Sequence, residues 1–147
     1  MLRHFVLAGI SLLVFTSTAG AQQIEFKNAL TNAPLDVKPT KTEIETPQVV
    51  EFKTTGVNPY LADAAALEAG KKIYTTNCAA CHLPDGTGRI GPNLVDDTVV
   101  RERVANDIGM FEIVYGGGSG AMQSFHRRGM VQDDMLKVTA YVRSLKK

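Results

Sequence analysis

Five consecutive residues, Cys78-Ala79-Ala80-Cys81-His82, concentrate the reactive side chains of this sequence. Two thiols three positions apart, followed at once by an imidazole, is the spacing that attaches a haem through two thioether bonds while the histidine reaches the iron. On a helical turn, residues three apart share a face. Both sulfurs then lie within reach of the two vinyl groups, and His82 follows beneath the porphyrin plane. One short segment would fix the cofactor covalently and supply a ligand. Other uses of the same thiols compete with this one. A structural zinc site needs two further ligands, but the only other histidines are His4 and His126. A thioredoxin-like redox pair wants a preceding strand in a βαβ context, whereas Leu67 to Thr76 reads as helix. A plain structural disulfide is the remaining alternative.

An iron that only carries electrons needs a second axial ligand that stays bound. Of the five methionines, Met1 lies at the very start, Met110 and Met135 fall on helical stretches, and Met130 directly precedes the last of these. Met122 alone sits in a glycine-flanked loop, forty residues past His82, where backbone can bring a thioether close to the haem. His126 is the rival: bis-histidine ligation would lower the reduction potential and a His/Met pair would raise it. Otherwise His126 is expected to be a surface imidazole beside Arg127 and Arg128. A ligating histidine usually donates its other ring N–H to a fixed acceptor, and a backbone carbonyl near Pro92 is well placed in sequence. Arg89 could neutralise a haem propionate or simply be solvated.

These residues need a frame. Asp63 can cap a helix, and Leu67, Gly70, Ile73 and Tyr74 fall at three- and four-residue spacings that make one packing stripe. A glycine inside that stripe costs about 1 kcal/mol against alanine, and it most simply permits another helix to cross closely. The partner expected is Asp133 to Lys146, with apolar positions Met135, Leu136, Val138, Val142 and Leu145 and a basic end suited to a helix C-terminus. Three glycines and two prolines between Leu83 and Leu94 forbid a long helix, so a wrapped loop follows the thiols. No strand precedes that loop and no Lys-Ser/Thr follows it, which argues against a phosphate-binding loop. Val99 to Tyr115 reads as helix with a break near Gly109, ended by Gly116-Gly117-Gly118.

Residues 1–21 have the form of a secretory signal. Arg3 and His4 make the basic end, Phe5 to Phe15 the apolar run and Ala19-Gly20-Ala21 the cleavage site. The run is short for a bilayer span, no membrane span is expected in the mature chain, and the expected location is the periplasm. Export agrees with haem attachment outside the cytoplasm. Without Arg3 the chain holds fifteen Lys and Arg against fifteen Asp and Glu. That neutral balance, with no basic stripe, gives no support for a nucleic-acid partner. Residues 22–57, with Pro34, Pro39, Pro47 and many threonines, read as an extended or flexible arm in which 48–52 could pair as a short edge strand. Residues 58–147 form the compact domain.

The haem motif, the Gly91-Pro92-Asn93-Leu94 loop, Gly120-Ala121-Met122 and Ala140-Tyr141-Val142 together resemble a class I cytochrome c. The runs Cys81 to Gly88, Gly109 to Gly117 and Gly120 to Phe125 are similar, more narrowly, to the cytochrome c-L family. The resemblance covers about residues 58–147. It implies an all-α fold of short helices around one covalently bound haem c on Cys78 and Cys81, with His82 and Met122 as axial ligands. It implies a periplasmic monohaem electron carrier, not an enzyme, and therefore no catalytic residues. Its donor would be a PQQ-dependent methanol dehydrogenase, and its acceptor a small cytochrome c or an oxidase. A general carrier serving a terminal oxidase, and a haem enzyme or sensor, are the alternatives. The sequence departs from the family at two points. Relatives are often acidic where this chain is neutral, and Val131 stands where a Ser or Thr cap is expected before the last helix. Some relatives also hold a calcium ion near the haem, for which no ligands can be assigned here.

Overall fold

In the computed structural model, residues 24–98 and 101–146 are described, and the expected signal segment 1–21 lies outside them. The order is α1 (Pro47–Thr55), α2 (Ala64–Asn77), α3 (Ala79–His82), a 3-10 turn (Glu102–Ala105), α4 (Asp107–Gly116) and α5 (Gln132–Leu145). Among the described residues the only β pairing is an isolated antiparallel bridge between Lys27 and Pro34. The architecture is therefore all-α, as the sequence leads one to expect.

Helix α2 starts where Asp63 accepts from the Ala66 amide at 2.9 Å, satisfying one of the free N–H groups of the first turn. It crosses α5 at Gly70. A Cβ added there would lie 2.2 Å from the Lys137 carbonyl oxygen and 3.0 Å from Tyr141 Cβ, so only glycine lets the two backbones meet. One turn on, the Tyr74 and Tyr141 rings pack with centroids 5.4 Å apart. Helix α5 has no side-chain cap of its own, since Val131 occupies the position before it. Its start is nonetheless held. The Gln132 amide donates to Glu43 Oε1 at 2.6 Å, so the cap comes from a residue 89 positions earlier. Helix α4 does not continue back to residue 101. The break falls at Asn106, whose side chain accepts from the Gly109 amide at 2.8 Å, and not at Gly109 itself. Gly109 serves a different need: a Cβ there would overlap the Arg103 carbonyl of the preceding turn.

Residues 24–57 depart most from the expectation of an extended or flexible arm with a short strand. Residues 47–55, which include 48–52, are helix α1, capped by Thr46 and closed by Gly56 in the left-handed region. Val49 and Phe52 on its inner face are buried. Phe26 joins Phe52 and Phe111 in a three-ring group with centroids 5.0 to 5.9 Å apart. The segment looks polar along the sequence, yet Ala29, Val49 and Phe52 are buried and Phe26, Leu35 and Val37 pack against the same core, while Ile44, Val50 and Val57 stay exposed.

Candidate haem site

The chain enters the site at the end of α2. Cys78 N–H donates to the Tyr74 carbonyl, and the next turn, α3, brings Cys78, Cys81 and His82 round in one loop of backbone. The loop that follows folds straight back on this turn. The Cys81 carbonyl accepts from the amides of Arg89 and Gly91 at 3.1 and 3.0 Å, and the His82 carbonyl accepts from Gly88 at 3.0 Å. Leu83, a non-glycine residue at φ 63°, makes the reversal, and its carbonyl accepts from the Tyr74 hydroxyl at 2.7 Å.

His82 is buried and fixed on two sides. Its Nδ1 lies 2.9 Å from the Pro92 carbonyl, the acceptor anticipated from the sequence. Serving that carbonyl assigns the proton to Nδ1 and leaves Nε2 as the free lone pair, the arrangement a metal-binding imidazole requires. Gly91 lies flat against the ring. A Cβ at that position would come 2.5 Å from Cε1, so any side chain there would push the imidazole out of place. The Arg89 side chain is exposed, with no ion pair among the described residues.

Cys78 and Cys81 are not joined in a disulfide. Burial, and secondarily Cys81, push the Cys78 thiol up to about 11, with Arg128 acting weakly the other way. A thiol so disposed is protonated at neutral pH and lacks the thiolate that a redox CxxC pair uses. No group of three or more His, Cys, Asp or Glu suited to a metal ion occurs among the described residues. The zinc and redox readings therefore lose their support. The pair fits thioether attachment: two sulfurs on one turn, next to an imidazole whose Nδ1 is engaged by the Pro92 carbonyl.

Met122 lies on a different loop. It is half-buried in the loop after α4, and its carbonyl accepts from the Gly118 amide at 2.8 Å. A Cβ on Gly118 would touch Met122 Sδ at 3.0 Å, and one on Gly117, at φ 93°, would strike the backbone at Met122, Gln123 and Ser124. The glycines that flag the loop in the sequence are thus what lets it close tightly around the methionine. The core has two parts. Met122 packs on the part built from Phe52, Phe111, Tyr115, Met135 and Leu136, whereas Cys78 and Ala79 pack on Tyr74, Val138 and Val142. Val114 on α4 touches both. His126, expected at the surface, is instead half-buried and stacked on Tyr115, with centroids 4.3 Å apart and planes 16° apart. Its Nδ1 is enclosed without a hydrogen-bond partner. Two contacts that matter here are not read from the sequence: Gly91 against the His82 ring, in a loop that stands out only as a motif, and Tyr115 against His126, where Tyr115 reads only as the end of a helix.

Residues 65–142 match the family model described as cytochrome c oxidase, cbb3-type, subunit III. Cytochrome c-L of Methylorubrum extorquens is 33% identical over 142 residues, covering 95% of this chain and 72% of that protein. The crystal structure of cytochrome cL from the marine methylotroph Methylophaga aminisulfidivorans superposes with a TM-score of 0.80 at 35% identity, over 84% of this chain and 82% of that one. That of cytochrome cL from Hyphomicrobium denitrificans gives 0.79 at 37% identity, over 86% and 76%. The cbb3-type oxidase subunit FixP of Bradyrhizobium diazoefficiens is 36% identical over 91 residues, 56% of this chain and 31% of that protein.

Proposed function

Given that this chain belongs to the cytochrome c-L family, has the class I cytochrome c fold and carries one covalent haem c as an electron carrier, we propose that its electrons come from a PQQ-dependent methanol dehydrogenase in the periplasm. They leave to a small cytochrome c or an oxidase. The observation that carries this reading is the extent of the likeness to cytochrome c-L. It runs through 95% of the chain, including the N-terminal segment that builds α1, and not through the haem-binding half alone. The signal-like residues 1–21 support a periplasmic location, and no described helix is long and apolar enough to cross a membrane.

When bound, the haem supplies a one-electron couple whose iron changes charge without any bond to substrate being made or broken. The protein's part is to keep that couple closed and rigid. In this reading Cys78 and Cys81 would form the thioethers, and His82 Nε2, held in register by Pro92 and Gly91, would ligate the iron. Met122 would supply the second ligand and so keep out dioxygen. A thioether opposite an imidazole favours the reduced state relative to two imidazoles, which suits an acceptor of electrons from a quinol.

A general carrier for a terminal oxidase is the second reading, favoured by the match of residues 65–142 to the oxidase-subunit family. Stopped-flow reduction separates the two. With methanol and purified PQQ-dependent methanol dehydrogenase, this cytochrome should be reduced much faster than an unrelated c-type cytochrome of similar potential. Equal rates would remove the methanol dehydrogenase assignment and leave the general carrier.

A further inference from the structure

One residue of α4 touches both the Met122 loop and the N-terminal segment. Tyr115, in the last turn of α4, is buried and makes bonds in two directions. Toward the N-terminal segment, its hydroxyl accepts from the Lys38 amide at 2.9 Å and faces the carbonyls of Lys38 and Asp36 at 3.2 and 3.3 Å. Toward the loop, its carbonyl accepts from Ser124 Oγ at 2.6 Å, and its ring carries the His126 imidazole in a parallel stack. The neighbouring carbonyl, on Val114, accepts from the Phe125 amide at 3.1 Å. Ser124 and His126 lie two and four residues after Met122. The loop that carries the methionine is therefore suspended from α4 at its C-terminal end, and the suspension point is itself tied to residues 36–38.

We propose that Tyr115 is a positioning residue for the sixth ligand: through Ser124 and His126 it fixes the Met122 loop, and through its hydroxyl it makes the hold on Met122 depend on the N-terminal segment. The enclosed, unpartnered Nδ1 of His126 fits this role. That ring makes no hydrogen bond through Nδ1 and contributes a flat wall against Tyr115. The inference rests on Met122 as the sixth ligand. It adds that the opening of the iron's distal face is set some eighty residues away in sequence, at Asp36 to Lys38.

The test uses the haem-loaded full chain and reads the distal face directly, by carbon monoxide binding to the reduced protein and by the red-edge charge-transfer band of methionine-ligated ferric haem. Tyr115→Phe keeps the ring and removes the ties to Lys38 and Asp36. Ser124→Ala removes the hydroxyl that meets the Tyr115 carbonyl, and Ser124→Thr restores it. Both Tyr115→Phe and Ser124→Ala should bind carbon monoxide about tenfold faster than wild type, the change expected when a closed loop loses one or two net hydrogen bonds. Both should also show a weakened methionine band at unchanged haem content and helicity, and Ser124→Thr should return the wild-type rate. Wild-type carbon monoxide rates in both variants, with only a lower melting temperature, would make Tyr115 a core residue and overturn the proposal. If Tyr115→Phe fails to retain haem, the Ser124→Ala and Ser124→Thr pair decides the hold on the loop, and Lys38→Pro, which removes the amide that donates to the Tyr115 hydroxyl, decides the dependence on the N-terminal segment by the same carbon monoxide rate. Met122→Ala separates the premise from the inference: if its band persists, the ligand assignment falls and the proposal with it. If the band is lost in Met122→Ala while the Tyr115 and Ser124 variants match wild type, only the positioning role fails.

Discussion

The two flanks of the proposed haem site are held in different ways. The Cys78–Leu94 flank is closed by its own neighbours: its main hydrogen bonds, from Gly86 to Leu83, Gly88 to His82, Arg89 and Gly91 to Cys81, Leu94 to Gly86 and His82 to Pro92, all fall within seventeen residues. The Met122 flank closes on Gly118 at one end only. At the other it hangs from Tyr115 and Val114, and α4 is in turn braced by residues 27 to 38 through Glu112 and Tyr115. A ligand held by a short loop survives loosening elsewhere, whereas one held through long-range contacts inherits the stability of whatever it is tied to. The attachment flank should therefore behave as a rigid anchor and the methionine flank as the part that yields first.

The sharpest break is on the anchor. Replacing both Cys78 and Cys81 by alanine is expected to abolish covalent haem altogether, leaving a protein whose mass is that of the bare polypeptide. A haem that stays attached through denaturation in that variant would contradict the attachment assigned here. Next in size is Met122→Ala, which should keep the thioethers and the His82 ligation but lose the methionine band and lower the reduction potential. Spectroelectrochemical titration reads both quantities, and a spectrum identical to wild type would point to another sixth ligand.

That division also explains what was legible in the sequence. The anchor could be read residue by residue, including the Pro92 carbonyl, because spacing along a short loop nearly fixes distance in space. The Gly70 crossing was legible for a similar reason, since one glycine inside a helical stripe has few other uses. The N-terminal segment was not. Phe26 stands far from the rest, and Val49, Val50 and Phe52 suggest a short strand as readily as one turn of helix, so the 3.6-residue period does not stand out. The burial of Phe26, Val49 and Phe52 is decided by Phe111 and Leu136, far along the chain. His126 misled for the same reason: the two arginines that follow it suggest solvent, but its ring is claimed by Tyr115. The start of α5 lacks the cap its own sequence should provide, and Glu43 supplies one from a place no local rule inspects.

If the methionine flank depends on the N-terminal segment, cutting the segment's ties should be felt there first. Glu112 is the strongest tie. Its carboxylate is fully buried, pairs with Arg103 through two nitrogens and accepts from the Lys27 amide at 2.6 Å. Removing that charge leaves a partly buried guanidinium without its partner, so Glu112→Gln is expected to cost roughly 3 kcal/mol. Urea unfolding followed at the methionine band and by circular dichroism checks both claims. The band should go at a lower urea concentration than the helical signal, and superimposable transitions would mean that the two flanks unfold as one.

The smallest expected effect is at the other fastening, where Asp133 on α5 accepts from Thr46 at 2.8 Å and from the Tyr60 hydroxyl at 2.6 Å and pairs with Lys137. Burial alone would push this carboxyl up. The hydrogen bonds from Lys137, Tyr60 and Thr46 outweigh it and hold the group below the usual carboxylate range. A carboxyl whose folded pKa lies below its unfolded one contributes stability that is complete above the unfolded value and disappears as pH falls through the folded one. Asp133→Asn should therefore cost about 1 kcal/mol at neutral pH, and the gap from wild type should narrow below about pH 4. Because α1 is held there at Thr46, far along the segment from Lys38, the methionine band should be spared at neutral pH. A gap that stays constant into acid would show that the charge on Asp133 is not what the segment uses. Loss of the band at neutral pH would show instead that α1 and residues 36–38 act on the Met122 loop as one body.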